Sequence, residues 1–176
     1  MEQARELWTI GHSTRSAEEF AALLQENRIE LLADVRRFPG SRRYPHFNGE
    51  NLRTFLSQHA IAYEHFEELG GRRNPLKDSP NTAWRNAAFR GYADYMMTGE
   101  FAKAAVRLLE IAAEKRTAVM CAEALWWQCH RALVADYAKA RGVKVLHILG
   151  PRKVEEHPYT SVAQIIDGQL SYRGIL

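Results

Sequence analysis

The sequence predicts an α/β domain built on a mostly parallel sheet of about five strands, with helices on both faces. Three observations carry this. Short apolar runs rich in β-forming residues recur at Leu7–His12, Leu31–Val35, Thr117–Cys121 and Lys144–Leu149, and stretches of helical period separate them. Strand–helix–strand units of this kind join parallel strands by right-handed crossovers. The 176 residues, 46% apolar and 26% charged, suffice for one substantial core and match ordinary globular composition. Residues 1–176 are therefore expected to form one domain, with 152–176 an extension packed on it.

Taken in order, Leu7–His12 (LWTIGH) is the first strand. Ser13 or Ser16 caps the following helix, whose apolar face is Ala17, Phe20, Ala21, Leu23 and Leu24. Leu31–Val35 is a second buried strand, which completes a βαβ unit. The stretch from Arg36 to Glu50, RRFPGSRRYPHFNGE, holds two prolines and two glycines and so reads as a long loop. A helix over 51–59, a strand over 61–66 and a glycine-bearing loop over 69–81 follow. Helical period then runs from Trp84 to Glu114, with a break near Thr98 and Gly99, where Thr98 can cap a new segment. Thr117–Cys121 supplies the fourth strand, and an amphipathic helix leads from it to Gly142. Lys144–Leu149 is the fifth strand. Beyond Gly150 and Pro151 a short helix and a hairpin at Asp167–Gly168 are expected. The whole reads as a Rossmann-like three-layer arrangement.

The polar residues collect on one edge of this outline. His12 and Ser13 end the first strand, Asp34 and Arg36 the second, and Cys121 and Glu123 the fourth. In an open parallel sheet the ligand crevice lies outside the carboxyl ends of the strands. The joint from Thr117 to Gly142 adds Cys129, His130 and Arg131 near a helix amino end, where unpaired N–H groups and the helix dipole favour an anion. Cys121 is read as nucleophile or ligand-facing thiol, with a buried structural role as the alternative for both cysteines. Glu123 opposes thiolate formation and fits an acid or base instead; Asp34 is the other candidate for proton handling, assisted by His12 or His130. Arg36 and Arg131 are expected to hold a phosphate.

The loop after the second strand interleaves Arg36, Arg37, Arg42 and Arg43 with Phe38, Tyr44 and Phe47. Guanidinium groups beside rings suit phosphates and bases, so Ser41, Arg42, Arg43 and Tyr44 join Ser13, Arg36, Cys129 and Arg131 as candidate ligand-binding residues. Arg72 and Arg73 can extend the positive surface. The spacing of Cys121, Cys129 and His130 matches no paired zinc pattern, and adjacent helical residues point about 100° apart, so neither a metal nor a cofactor is expected.

Net charge is +3, with 18 Arg against 6 Lys, which permits an acidic ligand without requiring one. No apolar run reaches the roughly 18 residues that span a bilayer, and MEQARELW does not read as a secretory signal. A cytoplasmic chain with reduced thiols and no membrane partner is expected.

The ordered set TIGHS (Thr9–Ser13), DVR (Asp34–Arg36) with Pro39 and Ser41, LGG (Leu69–Gly71), the aromatic pattern from Phe89 to Met96, Glu100–Phe101, MCAE (Met120–Glu123), CHR (Cys129–Arg131) and His147 resembles the domain of unknown function 488 family over about residues 9–165. The resemblance implies a compact α/β domain of bacterial or archaeal cells and no established reaction. The family's recurring polar positions coincide with Ser13, Asp34, Arg36, Cys121, Glu123, Cys129, His130 and Arg131. The Trp126–Trp127 pair departs from the polar or proline-containing sequence expected there, which narrows the pocket or changes the ligand.

Three readings of function follow. The first is an enzyme, a hydrolase or transferase with a cysteine/carboxylate site, acting on a nucleotide or nucleic acid. The second is a non-catalytic nucleic-acid-binding module using the Arg36–Phe47 loop, and the third is a thiol-based redox or metal-binding protein.

Overall fold

Side chains alternate across a strand, and in the central strands that alternation sorts the core into two layers. The computed structural model describes residues 6–174. Its strands and helices run β1 (Glu6–Gly11), α1 (Ala17–Glu26), β2 (Leu31–Asp34), α2 (Gly49–Ser57), β3 (Ala62–His65), α3 (Ala87–Tyr95), α4 (Gly99–Glu114), β4 (Thr117–Cys121), α5 (Arg131–Ala140), β5 (Lys144–Gly150), β6 (Lys153–Glu156), β7 (Gln164–Ile166) and β8 (Gln169–Ser171). Trp8 and Ile10 of β1 and Ala118 and Met120 of β4 pack with α1 and α2. Leu7, Val119 and Cys121 face the opposite way, into a layer built from α3, α4 and α5. This is the three-layer α/β arrangement the sequence predicts.

The main sheet has the order β3-β2-β4-β1-β5-β6. The first five strands are parallel and β6 is antiparallel to β5. Every residue of β2 and β4 is buried, as strands covered on both faces must be. Gly11 pairs with Cys121 and Asp34 with Met120, so the carboxyl ends of β1, β2 and β4 lie level.

Local chemistry sets the helix ends. Ser16, not Ser13, caps α1, accepting from Glu19 N at 3.0 Å in a reciprocal capping box. Thr98 caps α4 and splits the long helical stretch as expected. The segment before it starts at Ala87 instead of Trp84, because Asn86 accepts from the N–H groups of Ala88 and Phe89.

One expectation for the carboxyl-terminal part changes. The short helix expected after Pro151 is replaced by β6, the sixth strand of the sheet. Arg152, with φ +56°, turns the chain straight back on β5. All four residues of β6 are exposed, so its sequence carries no apolar alternation to betray it. The hairpin at Asp167–Gly168 forms between β7 and β8, with both turn residues at positive φ. Among the described residues no helix is long and apolar enough to cross a membrane.

Candidate active site

Strands β1 and β4 are neighbours whose connections leave in opposite directions. From β1 the chain runs through α1 to β2; from β4 it runs through α5, on the other face, to β5. Divergence of this kind opens a crevice at the strands' carboxyl ends. A cleft of about 770 Å³ lies there, lined by the residues after β1 (His12–Thr14), the loop after β2, Gly71–Arg72, and Cys121–Leu125 with Gln128–His130. Its volume is within the range of small-ligand sites.

Backbone contact between the two strand ends forms its base. His12 N donates to Cys121 O at 2.9 Å and Ser13 N to Ala122 O at 3.0 Å. A Cβ on Gly11 would lie 1.8 Å from Glu123 O, so only glycine permits this crossing. His12 is buried and stacked on Phe47 with centroids 4.4 Å apart. Burial, assisted by Arg36, lowers its pKa to about 4 although its bond to Ser13 O works the other way. The neutral ring donates through Nδ1 to Ser13 O and offers its Nε2 lone pair to Arg36 Nη1, 3.5 Å away.

Asp34 holds Arg36 and does not line the cleft. Its carboxylate accepts from Arg36 N at 3.0 Å, Nε at 2.9 Å and Nη2 at 2.8 Å, and from Tyr63 OH at 2.6 Å. Burial and the Asp34 charge raise the Tyr63 pKa far above that of a free phenol, so it stays a donor. Arg36 Nη2 also donates to Phe47 O. That leaves Nη1, at the cleft wall, as the least committed nitrogen of this guanidinium.

The two cysteines differ in environment. Cys121, on the α5 side of β4, is raised well above an ordinary thiol by burial and by donating to Cys129; Glu123 O, at 3.6 Å, is a second acceptor for its S–H. For Cys129 burial also acts upward, but the hydrogen bond from Cys121, the Arg131 N–H and the Arg131 charge outweigh it, and its pKa is lowered. Cys129 Sγ lies 3.5 Å from Arg131 N, one of the spare donors of the first turn of α5, and 3.4 Å from His130 Nδ1. His130 Nε2 donates to Val35 O at 2.9 Å, which points its Nδ1 lone pair at the Cys129 thiol. Burial is the main cause of a lowered His130 pKa, so the imidazole is a neutral acceptor. Gly71 makes room for it: a Cβ there would lie 2.7 Å from His130 Nδ1.

Arg131, expected to meet a phosphate, is turned inward and is 1% exposed. Its Nη2 donates to Glu123 O at 3.1 Å and Ala124 O at 3.3 Å, which fixes the cleft's β4 loop. Its Nη1 donates to Thr9 Oγ1 at 3.0 Å and begins a buried chain that the sequence did not disclose. Thr9 Oγ1 then donates to His147 Nδ1, His147 Nε2 to His157 Nδ1 at 2.8 Å, and His157 Nε2 to Asp136 Oδ1 at 2.8 Å. Arginine can only donate and the carboxylate only accept, so both ends fix the same proton direction. Trp126 stacks on His147 with centroids 4.7 Å apart and planes 6° from parallel.

Of the remaining candidates, Ser13, Ser41, Arg43, Tyr44 and Glu123 line the cleft and Arg42 is exposed outside it. Phe38, one of the rings the sequence placed among the loop arginines, also lines it, as do Leu125 and Gln128, which sequence reasoning passed over. Exposed Phe38 lies between the guanidinium groups of Arg37 and Arg72, 5.6 and 5.7 Å from its centroid. Arg37 Nη1 donates to Arg72 O at 2.9 Å, which ties the two loops together. No group of three or more His, Cys, Asp or Glu placed to hold a metal occurs among the described residues.

No curated protein and no solved structure matches the chain. A family model does: the one described as "Domain of unknown function DUF488" matches residues 16–138, from the cap of α1 through the cleft's β4 loop and most of α5. The match covers most of the sequence, and the chain belongs to the DUF488 family.

Proposed function

We propose that the cleft is the active site of a thiol-dependent enzyme acting on a phosphate-bearing ligand of nucleotide size, with Cys129 as its nucleophile. The observation that carries this reading is the surroundings of Cys129 Sγ: a helix N–H, a neutral imidazole fixed through Val35 O, and the Arg131 charge behind it. These are the means by which enzymes activate cysteine. Arg36 Nη1, Arg37, Arg43 and Arg72 supply the positive wall for an anionic ligand. His130 Nδ1 takes the thiol proton when Cys129 is protonated. Glu123, exposed at the mouth, exchanges protons with the bound ligand.

The test is alkylation by iodoacetamide, followed separately for Cys121 and Cys129 by peptide mass spectrometry, with and without nucleotides and short oligonucleotides. Cys129 is expected to label faster than Cys121 at neutral pH and to be protected by one ligand class. Equal, slow labelling of both, indifferent to every ligand, refutes the assignment. A second reading, binding of single-stranded nucleic acid, draws support from exposed Phe38 flanked by two arginines. It requires oligonucleotide affinity that falls steeply with salt.

A further inference from the structure

We infer that Cys121 and Cys129 work as a dithiol couple, Cys129 attacking a sulfur of a small anionic disulfide and Cys121 resolving the product. The inference rests on Cys129 being the attacking thiol, and it names the electrophile as sulfur. Three observations lead to it. Both thiols line the same cleft, neither is in a disulfide, and both sulfurs lie against one small group of atoms: Cys121 Sγ is 3.6 Å from Glu123 O, Cys129 Sγ is 3.5 Å from Arg131 N, and the Arg131 side chain donates to that same Glu123 O at 3.1 Å. The hydrogen bond from Cys121 helps to lower the Cys129 pKa, and a thiol so placed is also in position to resolve a mixed disulfide formed on Cys129.

The division of labour follows from the surroundings. Cys129 has the helix N–H and the imidazole; Cys121, one strand end away, has the proton to give. In the first step the Cys129 thiolate attacks R–S–S–R′, its sulfur bonds to the sulfur of R, and R′–S⁻ leaves, taking the proton of the adjacent Cys121. In the second step the Cys121 thiolate attacks Cys129 Sγ. A Cys121–Cys129 disulfide forms and R–S⁻ leaves. The substrate disulfide gains two electrons and becomes two thiols, one of them ionised, and the protein dithiol loses two electrons. An external dithiol restores the reduced couple by the reverse exchange. Arg37, Arg43 and Arg72 around the cleft select disulfides that carry carboxylate or phosphate groups.

The probe is 5,5′-dithiobis(2-nitrobenzoate), an aromatic disulfide with a carboxylate on each ring, added in slight excess to the folded full chain. In the wild type two thionitrobenzoate anions are expected per chain, with no adduct left. The peptides containing Cys121 and Cys129 should be joined by a bond that dithiothreitol reverses. Cys121→Ser, with Cys121→Ala as a second form should serine unsettle the buried site, should release one anion and keep the adduct on Cys129. Cys129→Ser should lose the fast phase. A stable Cys129 adduct in the wild type overturns the dithiol couple while leaving Cys129 as the nucleophile. Absence of fast reaction at Cys129 overturns both readings.

Discussion

Replacing Asp136 by asparagine tests the buried chain that ends the Arg131 fork. Asp136 is fully buried, and its two oxygens accept four hydrogen bonds. Oδ1 takes His157 Nε2 at 2.8 Å and Thr160 N at 3.0 Å; Oδ2 takes Thr160 Oγ1 at 2.5 Å and Tyr172 OH at 2.7 Å. Asparagine keeps one oxygen, which must stay at Oδ1, since an amide NH₂ there would oppose two N–H donors. Its NH₂ group then meets the two hydroxyls, whose hydrogens lose a charged acceptor. Hydrogen bonds to charged groups contribute about 1.5–3 kcal/mol each, so Asp136→Asn should cost about 3–6 kcal/mol. At 2–4 °C per kcal/mol for a chain of this length, Tm should fall by roughly 6–24 °C in a circular dichroism melt. Tyr172→Phe removes one of the two bonds and should produce about half that loss. A Tm for Asp136→Asn within about 3 °C of the wild type would refute the hydrogen-bond assignment.

Two further outcomes follow from the cleft. Gly71→Ala places a Cβ 2.7 Å from His130 Nδ1; the ring must turn away from Cys129, and iodoacetamide should then label Cys129 several-fold more slowly, with Cys121 unchanged. An unaltered Cys129 rate would show that the imidazole has no part in activating it. His12 titrates near 4 in the folded chain against 6.5 when free, so the unfolded chain binds the extra proton first as pH falls. Stability is therefore undiminished by this group above pH 6.5 and declines between 6.5 and 4, by about 1.4 kcal/mol per pH unit and of order 3 kcal/mol in total. His12→Gln should flatten that part of the urea-denaturation profile; an unchanged slope would count against a buried neutral ring.

How much of this was legible in the sequence depends on the range of the physics involved. Caps, turns and strand alternation act within a few residues, and Ser16, Thr98 and the Asp167–Gly168 turn could be read directly, whereas β6 could not, having one apolar residue, Val154, and no buried face. The cleft's position was legible because three strand ends pointed to it, but the orientation of its residues was not. Cys121 shares the face of Val119 in β4 and so turns beneath the α5 layer; Cys129, further along the chain, takes the helix N–H. Cys129 is extended backbone just before α5 and Arg131 is the first residue of the helix, so their closeness in CHR conceals that one lines the cleft and the other turns to the interior. The Asp136–His157–His147–Thr9 chain joins residues up to 148 positions apart in sequence. Its one local sign is a carboxylate among the buried residues of α5, beside Leu133, Val134 and Ala135.

The inward turn of Arg131 changes where attraction for the proposed anionic ligand must come from. Arg36 and Arg131 are both buried and spend most of their donors on Asp34, Phe47 O, Thr9 and the β4 loop carbonyls. Their charges order the site. Apart from Arg36 Nη1 at the wall, the charge left for drawing in an anion belongs to Arg37, Arg43 and Arg72, which are exposed or half-buried and hence open to screening, over about 10 Å at 0.1 M salt. The proposed activation of Cys129 rests on buried contacts that salt reaches poorly. The two effects should therefore separate by ionic strength. Between about 0.05 and 0.5 M sodium chloride, Cys129 labelling by neutral iodoacetamide should hardly change, while its reaction with 5,5′-dithiobis(2-nitrobenzoate) slows several-fold. If both reagents slow alike, salt is acting on the thiolate itself and the division between ordering and attracting arginines is wrong. If neither slows, the exposed arginines do not face the incoming anion, and the positive wall of the cleft has no part in selecting its ligand.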